Sequence, residues 1–65
     1  MKLSDLYVVL DVLDNEICIR IFNESALIMC GKPWEIPVGI MDFRVKSIRK
    51  AGHNSIADID IVIEG

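Results

Sequence analysis

Few side chains in this sequence are of the types that carry out chemistry, and their spacing favours no particular reaction. His53 is the single histidine, and a histidine general base needs a partner within hydrogen-bond reach. Ser55 and Asp58 are close to it in sequence, but nothing in their order orients the three as a catalytic triad. His53 follows a glycine, in a segment typical of an exposed turn. We therefore predict no catalytic residue and a protein that is not an enzyme.

The cysteine and aspartate residues do not favour a metal site either. Cys18 and Cys30 lack the CxxC-type spacing of a zinc site, so we expect two small, buried, reduced thiols. A cross-strand disulfide is the alternative if the two cysteines lie opposite each other in an oxidising compartment. Asp58 and Asp60 share a strand face and could reach one cation, but pairing with Lys46 on a neighbouring strand is the simpler interpretation. We predict no metal and no cofactor.

One stretch of the chain is rich in positive charge. Arg44, Lys46, Arg49 and Lys50 are four of the seven basic residues of the chain. A solvated strand face balanced by acidic neighbours is the simpler interpretation, and capture of a phosphate group together with Arg20 is the alternative. In an oligomer, several such patches could meet at a subunit junction and hold a small nucleotide. The net charge of −3 disfavours extended nucleic acid as a partner.

The chain is short and unusually apolar. Its 65 residues make one domain, and 52% of them are apolar. A chain of this size buries only about 60% of its unfolded surface, so surplus apolar side chains predict contact with another protein, first of all with further copies of itself. Its apolar runs are far below the roughly 20 residues of a membrane span, and no signal-peptide pattern is present. We expect a cytoplasmic homo-oligomer without membrane contact.

Residues 4–13 are predicted to form a helix with Ser4 as its N-cap. Helical spacing selects the side chains expected to face the core, which are Leu6, Val9, Leu10 and Leu13. Because the segment also contains β-branched valines and fits a period of two, a strand that turns at Asp14 into the next segment is the alternative.

Residues 16–22 and 26–31 are predicted to form a β-hairpin with a three-residue loop between them. Isoleucine at every second position of the first strand indicates a strand with two distinct faces. The expected pairs are Ile19 with Met29, Ile21 with Leu27, Cys18 with Cys30, Arg20 with Ile28 and Phe22 with Ala26.

Residues 43–50 and 56–64 are predicted to form a second hairpin around a turn at 51–55. The segment 33–41 contains two prolines and a glycine, which favour a loop with one short helical turn. The expected pairs of the second hairpin are Phe43 with Ile63, Val45 with Ile61, Lys46 with Asp60 and Arg44 with Val62.

Together these elements predict an α+β fold, in which a short N-terminal helix packs on one face of a four-stranded, mainly antiparallel sheet built from two β-hairpins. The helix covers one face only, and about half of the reverse face is apolar, so we expect that face to contact another protein. Trp34 is either a lid over the edge of the core or an interface anchor. The predicted interface residues are Phe22, Ile28, Trp34, Ile36, Ile48 and Val62.

Over most of the chain, the order of features resembles that of small proteins encoded by phages and prophages of bacteria. The features are a leucine helix (Leu3, Leu6, Leu10), the strand Ile17-x-Ile19-x-Ile21, Gly31, Ile36-Pro37, the run from Arg44 to Ile48 and a terminal isoleucine strand. The resemblance implies a protein that binds a host protein or sequesters a host signal, in some cases to counter bacterial immunity. We expect an oligomeric inhibitor of a host factor, with a sponge for a small phosphorylated signal and a structural assembly subunit as alternatives.

Overall fold

A computed structural model describes residues 1–52 and 56–65 and confirms the α+β fold. Its elements, in chain order, are helix α1 (Leu3–Leu13), strands β1 (Ile19–Asn23) and β2 (Ala26–Gly31), two short 3-10 helices (Pro33–Glu35 and Val38–Ile40), and strands β3 (Arg44–Lys50) and β4 (Ile59–Glu64). The predicted turn position of His53 lies outside the described residues.

The four strands form one mixed sheet in the order β2-β1-β4-β3. β1 pairs antiparallel with β2, and β3 pairs antiparallel with β4, so the two predicted hairpins are present. β1 and β4 lie side by side in the centre of the sheet and run parallel. The sheet is therefore two hairpins joined along their isoleucine-rich strands.

The core lies between α1 and one face of the sheet. Ile19, Ile21, Ile61 and Ile63 are fully buried on the two central strands. From α1 the buried side chains are Leu3, Leu6 and Leu10, which are three and four residues apart and so share one helix face. The buried residues are thus spaced three or four apart on the helix and two apart on the strands, as the geometry of each element requires.

The helix is confirmed, but two details of its prediction are wrong. The N-cap is Lys2 and not Ser4, because the amide groups of the first turn are satisfied from outside the helix. Leu3 N–H donates to the Phe43 carbonyl at 2.8 Å, and Ser4 N–H donates to the Met41 carbonyl at 2.9 Å. These bonds draw Leu3 into the core.

The predicted core stripe of the helix is wrong at two positions. Val9 and Leu13 are exposed, and Leu3 takes their place against the sheet. The physical reason is that α1 is apolar on nearly every side, so its contacts to the β3 side of the fold, and not its periodicity, decide which face is buried.

The predicted register of the first hairpin is wrong. Only Glu24 and Ser25 form the turn, and Asn23 pairs with Ala26 as the last residue of β1. Glu24 makes this tight turn possible by adopting a φ of 58°, in the left-handed region. A β-bulge then inserts one extra residue in β2, so the observed pairs are Phe22 with Leu27, Ile21 with Met29, Arg20 with Cys30 and Ile19 with Gly31.

The predicted register of the second hairpin is wrong as well. β4 begins at Ile59, because the Asp58 N–H donates to the carbonyl of Cys18 at 2.7 Å before the strand starts. A bulge at Lys46 shifts the ladder by one further residue. The observed pairs are Arg44 with Glu64, Val45 with Ile63, Ser47 with Val62, Ile48 with Ile61, Arg49 with Asp60 and Lys50 with Ile59.

Candidate functional site

An ion pair lies at the centre of the sheet face that α1 leaves uncovered. Arg20 and Asp60 are directly opposite each other on β1 and β4. The guanidinium binds both carboxylate oxygens, with Nε–Oδ1 and Nη2–Oδ2 distances of 2.7 Å. The hydrogen bond from Arg20 lowers the pKa of Asp60, and the charge of Arg49 acts in the same direction. Arg20 also lies over the ring of Phe22, 5.3 Å from its centroid.

This ion pair removes Arg20 from the predicted phosphate-binding group. The Nε and Nη2 groups of Arg20 form a bidentate hydrogen bond with Asp60, so a phosphate would have to displace the Asp60 carboxylate. The lowered pKa of Asp60 shows that the carboxylate stays charged in neutral solution.

The structure separates the other members of that group. Arg44 and Arg49 pair with Glu64 and Asp60, so both lie on the uncovered face, next to carboxylates. Lys50 pairs with Ile59 and so belongs to the helix side of the sheet, whereas Lys46 lies in the bulge. The four basic residues of β3 therefore form an exposed charged edge and not a single pocket for a phosphate.

Three of the predicted interface residues are not open for contact. Ile36 is buried in the core cluster, and Val62 is buried on the uncovered face beside half-buried Phe22. The uncovered face is thus partly closed by its own side chains: Phe22 lies directly beside buried Val62 on the next strand, and Arg20 lies over the Phe22 ring. This local packing uses much of the apolar surface that the sequence assigned to a partner.

The other three predicted interface residues are exposed, in different places. Ile28 is 41% exposed on the outer strand β2. Ile48 pairs with Ile61 and therefore lies on the helix side of the sheet, not on its predicted face, and it is 47% exposed there. Trp34 is 60% exposed on the 3-10 helix Pro33–Glu35.

Trp34 is presented by a segment with its own fixed geometry. The Lys32 N–H donates to Glu35 Oε2 at 2.7 Å, and the Glu35 N–H donates to the Lys32 carbonyl at 2.9 Å. Gly31 leaves room for this cap, because a β-carbon there would overlap the Glu35 carboxylate and displace it. The indole is therefore exposed on an ordered support, which suits an interface anchor better than a lid.

Sequence reasoning missed the largest group of exposed apolar side chains on one element. They lie on the side of α1 away from the sheet, and we call them the outer-helix patch; its members are Val8, Val9, Val12 and Leu13. Val12 and Leu13 are 77% and 76% exposed. The signal was present in the sequence, because only Ser4, Asp5 and Asp11 interrupt the apolar residues and Tyr7 over the whole helix.

The prediction of two buried thiols is wrong, because Cys18 is only partly buried and Cys30 is exposed. Cys18 and Cys30 are both free, and Cys30 lies opposite Arg20 rather than Cys18. Burial raises the pKa of the Cys18 thiol, and the nearby Cys30 raises it further, so Cys18 stays protonated. The Cys18 N–H donates to Asp58 Oδ2 at 3.0 Å. Within residues 1–52 and 56–65, no three His, Cys, Asp or Glu side chains are grouped so that they could hold a metal ion.

Fold and surface define a small α+β protein with extensive exposed apolar side chains. In the described part of the chain, no helix has the length and apolar character needed to cross a membrane. Comparisons with protein-family models, with curated proteins and with solved structures find no match to the chain.

Proposed function

We propose that this protein acts without catalysis, as an oligomer that binds and inhibits a protein of a bacterial host. The observation that carries the proposal is the outer-helix patch. A helix with apolar side chains on nearly every side is normally buried on more than one side, and α1 packs against the sheet on one side only. A partner that supplies an apolar groove would bury the remaining side.

The rim of the patch specifies the partner further. Asp5 and Asp11 are exposed on α1 next to the valines, and no residue between Leu3 and Leu13 is basic. An acidic rim around an apolar stripe is complementary to a groove whose edges are basic. This is the helix-in-groove mode of recognition, in which residues three and four apart insert as anchors.

Trp34 adds a second anchor to this surface. The 3-10 helix that carries it packs next to α1. Exposed tryptophan is the side chain most enriched among residues that dominate binding energy. A partner that covered both the helix and Trp34 would gain an aromatic contact beside the aliphatic one.

That the partner is a host protein, and that binding inhibits it, follows from the resemblance to small phage proteins. The alternative of a phosphate sponge has less support, since Arg20 is bound to Asp60 and the basic residues of β3 lie on both faces of the sheet. A purely structural subunit would bury the outer-helix patch against its own copies, which is an outcome that an experiment can recognise.

Site-specific photo-crosslinking in bacterial cells tests the proposal. A benzophenone amino acid at Val12 is expected to capture one host protein, whereas the same group at Ser25, exposed on the hairpin turn, is not. Calorimetry with that purified host protein should show binding weakened at least about tenfold by Val12→Lys and unchanged by Ser25→Lys. Crosslinks only to further copies of the chain would contradict the proposal, and so would nucleotide binding that Arg44→Ala abolishes.

A further inference from the structure

The two edges of the sheet differ in how they are protected against pairing with another strand. On β3, four of the seven residues are basic. The N-terminal segment also lies along the start of β3: the Val45 N–H donates to the Met1 carbonyl at 2.8 Å, and the backbones of Lys2 and Arg44 form an antiparallel β-bridge. Charge and covering segments are the usual devices that keep an edge from pairing. β3 is therefore a closed edge.

β2 has neither device. Its six residues, from Ala26 to Gly31, include no charged side chain and no proline. In the described part of the chain, β1 is the only strand that pairs with β2, so alternate N–H and C=O groups point away from the sheet. A bulge occurs on each edge strand and so does not distinguish them. β2 is an open, apolar edge.

We propose that β2 pairs antiparallel with β2 of a second copy, which joins the two sheets into one of eight strands. The proposal rests on the oligomeric part of the proposed function and names the surface that forms the oligomer. An uncharged segment meets no like-charge repulsion from its own copy, whereas two β3 edges would bring eight basic residues together.

Side chains of the strand support the same partner. Leu27 is 56% exposed and Ile28 is 41% exposed, and across a two-fold axis each would meet apolar residues of the partner strand. Such an interface uses the same surface on both copies and closes at a dimer. Pairing of β2 with a β3 edge would instead be open-ended, and Met1 and Lys2 already lie where that strand would pair.

The dimer leaves the outer-helix patch free, because that patch lies on α1 and not on the sheet edge. A dimer of this kind would present two copies of the patch to its partner. Self-association through β2 and partner binding through α1 can therefore be removed separately.

Sedimentation equilibrium of the full chain tests the pairing. Wild type is expected to form a dimer that Ile28→Lys dissociates, with a dissociation constant raised about a hundredfold because the substitution acts twice in a two-fold interface. Leu27→Lys serves as a second variant should the first fail to fold, and far-UV circular dichroism checks both. Val12→Lys introduces the same charge at an apolar position on α1 that is 77% exposed; it is the control and should leave the dimer intact.

Three results would overturn the pairing. A wild-type monomer up to millimolar concentration would remove both the pairing and the oligomeric part of the proposed function. A dimer that persists in folded Ile28→Lys and Leu27→Lys variants would exclude the β2 edge alone. A dimer that only Val12→Lys dissociates would assign self-association to the outer-helix patch and leave a structural subunit as the better account.

Discussion

Leu10 and Leu13 provide a matched pair that tests the orientation of α1. They have the same side chain and lie three residues apart on one helix, yet Leu10 is 9% exposed and Leu13 is 76% exposed. The helical spacing of the sequence assigns both to the core, whereas the structure assigns Leu13 to the outer-helix patch. Replacement of each by alanine therefore gives different results under the two descriptions.

The expected magnitudes follow from burial. Leu10→Ala should lower the free energy of unfolding by about 3 kcal/mol, since loss of a buried leucine side chain costs about 2–5 kcal/mol. Leu13 is about three-quarters exposed, so Leu13→Ala should lose only about 0.5 kcal/mol of burial, and the higher helix propensity of alanine returns about 0.2 kcal/mol. A domain of this size has a total stability of about 3–10 kcal/mol. Leu10→Ala should therefore remove between about a third and all of that stability.

Urea denaturation followed by far-UV circular dichroism measures both values. The variants are made in the Ile28→Lys background, because self-association adds a concentration-dependent term to the apparent stability. The comparison requires equal dependence of the free energy on urea in all proteins. Should Leu10→Ala not fold, Leu10→Val preserves the test with a smaller loss. Equal losses for Leu10 and Leu13 would refute the orientation of the helix and, with it, the outer-helix patch.

Three further predictions concern the ion pair, the thiols and the support of Trp34. Arg20 lowers the pKa of Asp60 below its unfolded value near pH 4, so the wild type should lose stability as the pH falls below about 4. The acid-induced fall in the urea midpoint should be smaller in Asp60→Asn, and equal falls in the two proteins would contradict this. Iodoacetamide should alkylate exposed Cys30 before Cys18, whose pKa is raised by burial, and peptide mass spectrometry showing the reverse order would contradict it. Gly31→Ala should cost about 1 kcal/mol in urea denaturation by displacing the carboxylate cap of the first 3-10 helix, and unchanged stability would contradict it.

The fold class was predictable because the strand periodicity is strong. Isoleucine at every second position of β1 and β4 marks one buried face in each strand: Ile19, Ile21, Ile61 and Ile63 are fully buried, and Ile59 is partly buried. The turn residues between the strands of each hairpin then leave little choice but antiparallel pairing. The parallel contact between β1 and β4 has no local signal, because it joins residues about 40 positions apart.

The strand registers were not predictable, because local irregularities in both hairpins shift them. Glu24 adopts a left-handed φ and shortens the first turn by one residue. Each hairpin then contains a bulge, and Asp58 delays the start of β4 through its hydrogen bond with Cys18. A one-residue shift moves a side chain to the opposite face, which is why Ile48 lies on the helix side and why Arg49, not Lys46, lies opposite Asp60 on β3.

The presence of an exposed apolar surface was predictable from the sequence, but its position on the fold was not. An apolar fraction of 52% in 65 residues correctly indicated surplus apolar side chains. Their position depends on which face of α1 meets the sheet, and a helix with apolar side chains on nearly every side carries only a weak periodic signal to decide that. On the uncovered sheet face, Arg20 lies over the ring of Phe22 on the same strand, and the parallel register places Val62 beside Phe22.

The central claim is that this protein works through its exposed apolar surfaces. Amide hydrogen exchange of the wild type tests it most directly, when the exchange rate of each residue is measured by NMR in dilute and in concentrated solution. Pairing of the open edge predicts that amides between Leu27 and Cys30 exchange more slowly in concentrated solution, since their outward N–H groups acquire partners. Amides of β3 should not change, because that edge is closed. Exchange at β2 that is equally fast at both concentrations, with the chain at its monomer mass of 7.3 kDa throughout, would contradict the account.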